Sequence, residues 1–327
     1  MGFKQDIDKI IEGNLKTYKD NSDRFIADYN HEYELTKEYN GRQLLELLQN
    51  ADDASSAEVK IAWNKENRKL TISNKGNEPF QVGGLKSLML ANFSSKTKLN
   101  YIGNKGLGFR SILNWAEKIN IRSNGCIISF SEMIAKDVFN NRLALSKEAK
   151  QKIRAERNLS EQTIPFPILA IPDVKEVSLE NDWTTDIDIT YRKEFEKDIE
   201  NQLAELREEI LLFLNNIKKI TIQSESKTIE FQSEKNKSGN FESITIKGKK
   251  WKVFSKEDML PDEYQDKNKN EVQAYNLKVA FQDDLSDDYG KLFNFFPTQL
   301  SVSLPCIIHG TFDLNSNRNH LNELKIN

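Results

Sequence analysis

Residues 41–54, GRQLLELLQNADDA, carry polar side chains at helical spacing. Glu46, Asn50 and Asp53 stand at i, i+4 and i+7, so a helix would place a carboxylate, an amide and a second carboxylate in one row, which Ala54 extends. An apolar row at the 3.6-residue period predicts this helix, and its members are Leu44, Leu45, Leu48 and Ala51. A solvated surface helix shows the same amphipathic pattern, so the row by itself leaves its role open.

These residue types can support hydrolysis of a phosphate anhydride. That reaction needs a general base near the attacking water and positive charge at the terminal phosphate. Glu46 supplies the carboxylate that a base requires. Asn50, one turn later on the same face, offers an amide oxygen, and oxygen ligands are those that Mg²⁺ prefers.

A glycine-rich stretch, IGNKGLGF, lies about fifty residues further on, with Gly103, Gly106 and Gly108 in a G-x-x-G-x-G pattern. Glycines let the backbone curl so that several N–H groups point at phosphates, ahead of a helix predicted from Ser111. The sequence contains no G-x-x-x-x-G-K-[ST], so this is not a Walker-type loop. Lys105 lies inside the curl, where it fits solvent and phosphate equally well.

Two shorter patterns accompany these stretches. The apolar run ISNKGNEPF breaks into a turn and holds an N-x-G signature formed by Asn74 and Gly76. The segment WTTDIDI places a threonine pair at the head of an alternating strand pattern. A polar segment with Ser95 and Lys96 precedes the glycines, and such a segment is ordinarily solvated surface.

Taken in order, the motifs E-x-x-x-N-x-x-D-A, N-x-G, G-x-x-G-x-G-F and a threonine before a strand resemble those of the Bergerat-fold (GHKL) ATPases. Within that group the chain is similar to the heat-shock-ninety chaperones and to the sacsin-type proteins, whose first motif has the same ELLQNADDA wording. The resemblance covers most of the chain, and four ordered motifs are a specific signal. It implies an α+β fold, with a two-layer α/β sandwich of helices on a mixed sheet followed by a smaller α/β middle-type domain.

The resemblance also implies ATP and Mg²⁺ as cofactors. Glu46 would be the general base, Asn50 the protein ligand of the metal, and Arg318 a positive charge brought to the γ-phosphate from the second domain. A surface arginine in an asparagine-rich loop is the alternative interpretation of Arg318. The nucleotide-binding residues that the resemblance implies are Asn50, Asp53, Ala54, Asn74, Gly76, Ser95, Lys96, Gly103, Asn104, Lys105, Gly106, Leu107, Gly108, Phe109 and Thr185 (or Thr184).

The adenine-binding position departs from the chaperone pattern. In the family an aspartate accepts a hydrogen bond from the exocyclic amine of adenine, and Asn74 stands at that position here. An asparagine amide has an acceptor and a donor group, so Asn74 fits N6 and N1 of adenine in one plane. Glu78 stands where many relatives have a second glycine. The sequence still predicts selectivity for adenine.

Hydrophobic periodicity predicts most of the remaining elements. Helices are predicted over 3–39 and 191–216 from their apolar stripes, and an exposed helix is predicted over 144–162 from its content of Lys, Arg, Glu and Ala, without a sharp apolar stripe. Strands are predicted at 57–63, 70–73, 118–122, 126–130, 184–190, 219–222, 241–246, 251–254, 272–281 and 300–314. The predicted domains are an ATP-binding domain at 1–225, a charged, serine-rich linker at 226–240 and a partial middle-type domain at 241–327 that carries Arg318.

Length and composition narrow the class of protein. A chain of 327 residues is long enough for about two domains with a sizeable core. It has no apolar run of membrane-spanning length and no secretory signal at its N-terminus. Cys126 and Cys306 lack metal-type spacing, which suggests reduced thiols in a cytoplasm. The net charge of −3 gives no indication of nucleic-acid binding. We therefore expect a cytoplasmic protein with neither a membrane nor a nucleic acid as partner.

The predicted function is a Mg²⁺-dependent ATPase, weak in isolation, whose cycle closes a lid and docks the second domain. Such a protein would be chaperone-like or a conformational switch. The resemblance also implies that it could be part of a larger bacterial defence system. Expected partners are ATP, ADP and a transient homodimer or larger multi-domain or multi-protein assembly. The N-terminal helix would pack on the sheet, or alternatively contact a second protomer.

Two alternatives remain. One is a non-hydrolysing ATP sensor that gates a protein partner, against which the presence of Glu46 argues. The other is a DNA-processing ATPase of the mismatch-repair type, against which the negative net charge of the chain argues. A histidine kinase is set aside, because His31 precedes the motifs in a tyrosine-rich segment without coiled-coil heptads.

Overall fold

A computed structural model describes residues 2–38, 41–89, 108–156, 158–160, 163–178, 182–262, 265, 274–283, 285–286 and 289–312. The fold class is α+β, as predicted. The chain divides into two compact units, Met1–Leu203 with Ile222–Thr228, and Ala204–Thr221 with Ile229–Asn327. None of the helices in the described ranges is long and apolar enough to cross a membrane.

The α-helices are α1 (Phe3–Asp20), α2 (Ser22–Glu38), α3 (Gln43–Asp53), α4 (Val82–Met89), α5 (Glu132–Asp137), α6 (Lys147–Glu156) and α7 (Glu196–Glu205). Short 3₁₀-helices occupy Gly108–Asn114, Lys193–Phe195 and Glu208–Leu212, and a π-helical turn occupies Val138–Arg142.

The strands are β1 (Ser56–Asn64), β2 (Lys69–Gly76), β3 (Ala116–Ser123), β4 (Cys126–Ser131), β5 (Asp173–Glu176), β6 (Thr185–Tyr191), β7 (Lys219–Ser224), β8 (Thr228–Ser238), β9 (Phe241–Ile246), β10 (Lys249–Met259), β11 (Ala274–Phe281), β12 (Lys291–Asn294), β13 (Phe296–Ser301) and β14 (Ile307–Gly310).

The sheet of the first unit has the strand order β1-β2-β6-β3-β4-β5, and these neighbours are antiparallel. One row of directly paired isoleucines crosses it, and all its members are buried: Ile61, Ile72, Ile187, Ile121 and Ile128. Paired residues share a face, and β-branched side chains fit the pleated surface well. This row therefore marks the face of the sheet that the helices cover.

The helical layer of the first unit lies on that face. Helix α3 packs against β1 and β2, and α1 packs against β5, α2 and α4. The 3₁₀-helix Gly108–Asn114 packs against α2, α3 and β3. The sheet thus holds α3 and the end of the glycine-rich stretch side by side.

The second unit has the strand order β13-β12-β14-β11-β10-β9-β8, and its sheet is mixed because β12 and β14 run parallel. His309 on β14 is fully buried against the rings of Phe213 and Phe295. Its Nδ1 accepts a hydrogen bond from the backbone N–H of Phe295 at 3.1 Å. Burial lowers the pKa of His309 to about 3, with a smaller contribution from Lys278. His309 is therefore neutral at physiological pH.

Several elements lie where the sequence predicts them. The hairpin predicted at 57–63 and 70–73 is β1 and β2, and the segments 118–122, 126–130 and 184–190 are β3, β4 and β6. The exposed helix predicted over 144–162 is α6, which is shorter than predicted. Alternation located strands such as β1 because apolar residues on one face of such a strand are buried.

The helix predicted over 3–39 is wrong in one respect, since two helices replace it. Asn21 adopts an extended conformation, with φ −143° and ψ 98°, and ends α1. Its side-chain oxygen accepts a hydrogen bond from the backbone N–H of Asp23 at 3.1 Å. An asparagine that competes for backbone N–H groups in this way starts a new helix.

The long helix predicted over 191–216 is also wrong. Helix α7 ends at Glu205, and Arg207 is extended, with φ −118° and ψ 156°. The next residues are buried in unbroken succession: Ile210, Leu211, Leu212, Phe213 and Leu214. The extended Arg207 therefore separates α7 from the buried segment, which contains the short 3₁₀-helix Glu208–Leu212.

The linker predicted at 226–240 is wrong as well, because Thr228–Ser238 forms strand β8 and pairs with β9. Phe231 and Ser233 are buried, while Glu230, Gln232 and Glu234 between and beside them are exposed. The charged side chains of Glu230 and Glu234 lie on the outer face of a half-buried strand.

Candidate functional site

Helix α3 is buried around most of its circumference, polar residues included. Glu46 is 5% exposed and Asp52 is fully buried, while Asn50 and Asp53 are half-buried. A solvated surface helix would leave these side chains in water. Burial of a carboxylate is costly unless polar partners compensate it. The row is therefore not an ordinary solvated stripe, because its first member, Glu46, lies in the interior of the first unit while Asn50 and Asp53 are half-buried.

The structure brings the first motif and the end of the glycine motif together. Helix α3 packs against the 3₁₀-helix Gly108–Asn114, which begins at the last glycine of the pattern. Phe109 and Ser111 in this helix are buried. Fifty residues of sequence thus separate two segments that are neighbours in space.

The second motif approaches the C-terminal end of α3 closely. The backbone N–H of Ala54 caps the helix by donating to the Asn50 carbonyl oxygen at 3.1 Å. A Cβ atom added at Gly76 would lie 2.7 Å from the Ala54 carbonyl oxygen and 2.8 Å from Ser56 Oγ. Only glycine fits there without a shift of its neighbours. The N-x-G signature therefore lies directly against the E-x-x-x-N-x-x-D-A motif.

A polar row crosses the sheet beside the isoleucine row. Asn74, Thr185 and Ser123 are directly paired on β2, β6 and β3, two residues along each strand from the isoleucines. They consequently point to the same face as the isoleucines, the face that α3 covers. All three are buried, with 5%, 5% and 0% of their surfaces exposed. Polar side chains thus replace apolar ones where the sheet meets the end of α3.

Hydrogen bonds fix the orientation of this row. Asn74 Nδ2 donates to Ser56 Oγ at 2.7 Å, which leaves the amide oxygen as the acceptor end of Asn74. The hydroxyls of Thr185 and Ser123 are 2.8 Å apart, and Ser123 Oγ also accepts from the backbone N–H of Phe80 at 2.9 Å. The row is therefore anchored at both ends.

Thr184, the first threonine of the pair, ties the second motif to β6. Its backbone N–H donates to the Asn74 carbonyl oxygen at 3.0 Å. Its hydroxyl donates to the Gly76 carbonyl oxygen at 2.7 Å and accepts from the Gly76 N–H at 3.1 Å. The two threonines thus have different roles: Thr184 holds the backbone of the motif, and Thr185 lies in the buried row.

A buried ion pair supports the 3₁₀-helix from behind. Arg110 Nη1 lies 3.9 Å from Glu32 Oε2 on α2, and Arg110 Nη2 donates to the carbonyl oxygens of Ser87 and Leu88 at 3.3 and 2.9 Å. The Glu32 carboxylate also accepts from the backbone N–H groups of residues 168 and 169 at 2.6 and 3.1 Å. Burial raises the pKa of Glu32 and lowers that of Arg110, because it penalises both charges. The ion pair joins the 3₁₀-helix to α2, and the hydrogen bonds of Arg110 join it to α4.

The residues predicted from the sequence fall into two groups. Those that the structure describes lie together around α3 and the adjoining end of the sheet, and they are Glu46, Asn50, Asp53, Ala54, Asn74, Gly76, Gly108, Phe109 and Thr185. The others lie outside the described residues, and they are Ser95, Lys96, Gly103, Asn104, Lys105, Gly106, Leu107 and Arg318. Their assignments stay predictions.

Sequence analysis missed Ser56, Ser123, Glu32 and Arg110. Ser123 had a recognisable signal, because the inward positions of β3 run Ile119, Ile121 and then serine. No three histidine, cysteine, aspartate or glutamate side chains in the described part of the chain cluster as a metal site.

No protein-family model matches the sequence, and no curated protein matches it. Among solved structures, the chain is similar to the N-terminal domain of a DNA repair protein, with a TM-score of 0.45 and 10% sequence identity, over 87% of this chain and 88% of that one. It is also similar to the ATPase region of Saccharomyces cerevisiae topoisomerase II bound to ICRF-187 (dexrazoxane), with a TM-score of 0.41 and 9% identity, over 85% of this chain and 76% of that one.

Proposed function

We propose that the first unit binds ATP between α3 and the polar end of its sheet and that the chain hydrolyses ATP slowly. The observation that carries this proposal is the position of α3 among the motifs. Helix α3 carries the buried Glu46, packs against the 3₁₀-helix at the end of the glycine motif and has its C-terminal end against Gly76 of the N-x-G signature. The resemblance to the GHKL ATPases supports the same assignment.

The adenine end of the proposed site is the row of Asn74 and Thr185. Because Asn74 Nδ2 is engaged by Ser56, its oxygen end is the one that would accept a hydrogen bond from the exocyclic amine of adenine. Guanine has a carbonyl oxygen at the corresponding position, and two acceptors facing each other repel. These features favour ATP over GTP.

The phosphate end of the proposed site is the face of α3 that carries Glu46 and Asn50. Glu46 would orient the attacking water and accept its proton. Asn50 would offer its amide oxygen to Mg²⁺, which when bound neutralises charge on the phosphates. The glycine motif would supply backbone N–H groups, and Arg318 would add positive charge to the γ-phosphate.

The finer parts of the function belong to this proposal too. We expect the output to be a conformational change, with lid closure and docking of the second domain, in a chaperone-like or switch protein of the cytoplasm. A transient homodimer or a larger assembly would favour the docked state. The alternative of an ATP sensor differs from this proposal because a sensor would not hydrolyse ATP. The mismatch-repair alternative differs in its partner, which would be DNA.

Isothermal titration calorimetry tests the proposal directly. ATP, ADP and GTP are titrated into the full chain with and without Mg²⁺, and we expect tighter binding of ATP than of GTP and a gain in affinity with Mg²⁺. Asn74→Ala should bring the ATP and GTP affinities together. Asn120→Ala is the matched control, because Asn120 lies on β3 with its side chain on the other face of the sheet. Equal affinity of the wild type for GTP would contradict the role of Asn74, and no nucleotide binding at all would overturn the proposal.

A further inference from the structure

Strand β10 in the second unit has two different faces. Trp251 and Val253 are buried, whereas the alternating residues on its other face are exposed: Lys250, Lys252, Phe254, Lys256 and Asp258. Side chains alternate between faces along a strand, so these five residues form one outward row. A phenylalanine between lysines on an exposed strand face is unusual, because large apolar side chains normally point inward.

Further phenylalanines join Phe254 on this face. Phe241 on β9 and Phe281 on β11 have ring centroids 5.5 and 6.1 Å from that of Phe254. Phe254 is 38% exposed and Phe281 is 40% exposed, and Phe241 is half-buried. We call these three rings the aromatic face. It spans three adjacent strands, so the sheet holds its rings in fixed positions.

The lysines beside the aromatic face are loosely paired. Lys252 Nζ lies 3.3 Å from Asp283, but the two side chains are 51% and 86% exposed. Lys256 Nζ lies 3.9 Å from Asp258 and 6.0 Å from the centre of the Tyr275 ring. Solvent-exposed ion pairs contribute little, typically about 0.2–1 kcal/mol each. A polyanion could therefore take over these lysines at low cost.

We propose that the aromatic face and its lysine row bind single-stranded nucleic acid. Bases stack on exposed aromatic rings, whatever their sequence, while lysines contact the phosphates. A partner protein is the other candidate for an exposed apolar patch. Lysine, however, is depleted in the cores of protein interfaces, and here it alternates with the central phenylalanine of the patch. The combination of residue types favours nucleic acid.

This proposal differs from the expectation drawn from the net charge. The sequence KKWKVFSK contains no long basic run, because buried residues interrupt the lysines. The strand aligns the lysines on one side. The net charge of −3 for the whole chain does not describe the local charge of that side. The lysine row can therefore be recognised only when the pairing of β10 is known. The proposed surface lies in the second unit and does not require ATP.

Fluorescence anisotropy tests the proposal with the full chain in the absence of nucleotide. The probe is a fluorescein-labelled oligothymidylate of about 16 nucleotides, the upper site size of a single sheet-type module. We expect binding in dilute salt, and Phe254→Ala or Phe281→Ala should weaken it about 5- to 150-fold, the range for one lost base stack. Phe254→Leu should weaken it as well, because leucine keeps an apolar contact without an aromatic ring.

Changes to the lysines should act through the salt dependence. Each of Lys252→Gln and Lys256→Gln should reduce the slope of log K against log salt by about 0.7, the value for one phosphate contact of a single strand. Tyr33→Ala is the matched control, since Tyr33 is an exposed aromatic residue (51%) on α2 of the first unit. Circular dichroism confirms that each variant folds.

Three results would overturn the proposal. They are an absence of binding in dilute salt, tighter binding of a duplex than of the single strand, and oligonucleotide binding that all the phenylalanine and lysine variants leave unchanged. Binding of a partner protein that tolerates Phe254→Leu would count against it if the same chain did not bind the oligonucleotide.

Discussion

The contact between Gly76 and the end of α3 gives a sharp prediction, because replacing Gly76 by alanine adds one methyl group at a known place. Its Cβ would lie 2.7 Å from the Ala54 carbonyl oxygen, 2.8 Å from Ser56 Oγ and 3.3 Å from Ser56 Cα. Real Cβ atoms do not approach heavy atoms within about 3.0 Å. Two of the three neighbours are backbone atoms, which cannot rotate away, so the substitution must move the chain.

Overpacking of this kind costs about 1–3 kcal/mol. For a unit of this size, 1 kcal/mol corresponds to roughly 2–4 °C in melting temperature, so we expect Gly76→Ala to melt about 2–12 °C lower. The movement also displaces the two hydrogen bonds between Gly76 and Thr184, which hold the second motif. ATP binding should therefore weaken along with stability.

Gly83→Ala is the matched control. Gly83 lies in α4, and nothing lies within 4 Å of an added Cβ. Alanine is favoured over glycine in a helix by about 0.5–1 kcal/mol, so this variant should melt at the same temperature or slightly higher. Thermal unfolding followed by circular dichroism, with ATP titrations on both variants, makes the comparison. If Gly76→Ala and Gly83→Ala behaved alike in both measurements, the reasoning from the close approach would be refuted.

The other predictions concern catalysis and pH. Glu46→Ala should leave ATP affinity nearly unchanged and lower the rate of single-turnover hydrolysis about 10²- to 10⁴-fold. Hydrolysis by this variant at the wild-type rate would exclude Glu46 as the general base. Asn50→Ala should weaken the Mg²⁺-dependent part of ATP binding. Arg318→Ala should lower the rate about ten- to a thousandfold with little effect on ATP affinity, and full activity of this variant would assign Arg318 to the surface. The pKa of His309 is about 3 in the folded chain and about 6.5 in the unfolded chain. As the pH falls below 6.5, the unfolded chain therefore binds more protons at this residue than the folded chain does. The contribution of His309 to stability should be complete above that pH and decline towards pH 3, with a loss of about 2 kcal/mol between about pH 7 and pH 5. Urea unfolding measures this loss, and an equal loss in His309→Gln would rule it out.

The elements around the site could be predicted because their signals are local. Leu44 and Leu48 repeat at the period of a helix, and Ile61 and Ile72 alternate with polar residues as in a strand. The motifs also singled out Asn74 and Thr185 (or Thr184) as candidate site residues. Their pairing on β2 and β6 places Asn74 and Thr185 at the same level of one face of the sheet.

The rest depended on tertiary contacts that no local pattern records. The charged composition of β8 suggested a linker, because only its pairing with β9 turns Phe231 inward. Helix α7 ends at Glu205 before a segment whose residues are buried in unbroken succession, and such burial leaves no periodicity to read. The pairing of Arg110 with Glu32 joins residues that are far apart in sequence.

The bonds of Arg110 have a consequence for how this chain can diverge. They join the last turn of α4, before residue 90, to the 3₁₀-helix that begins after residue 107. The two ends of the intervening chain are thus held together by side-chain and backbone atoms outside it. Arg110 is therefore a position at which the chain cannot readily diverge, because a change of Arg110 would release both ends at once.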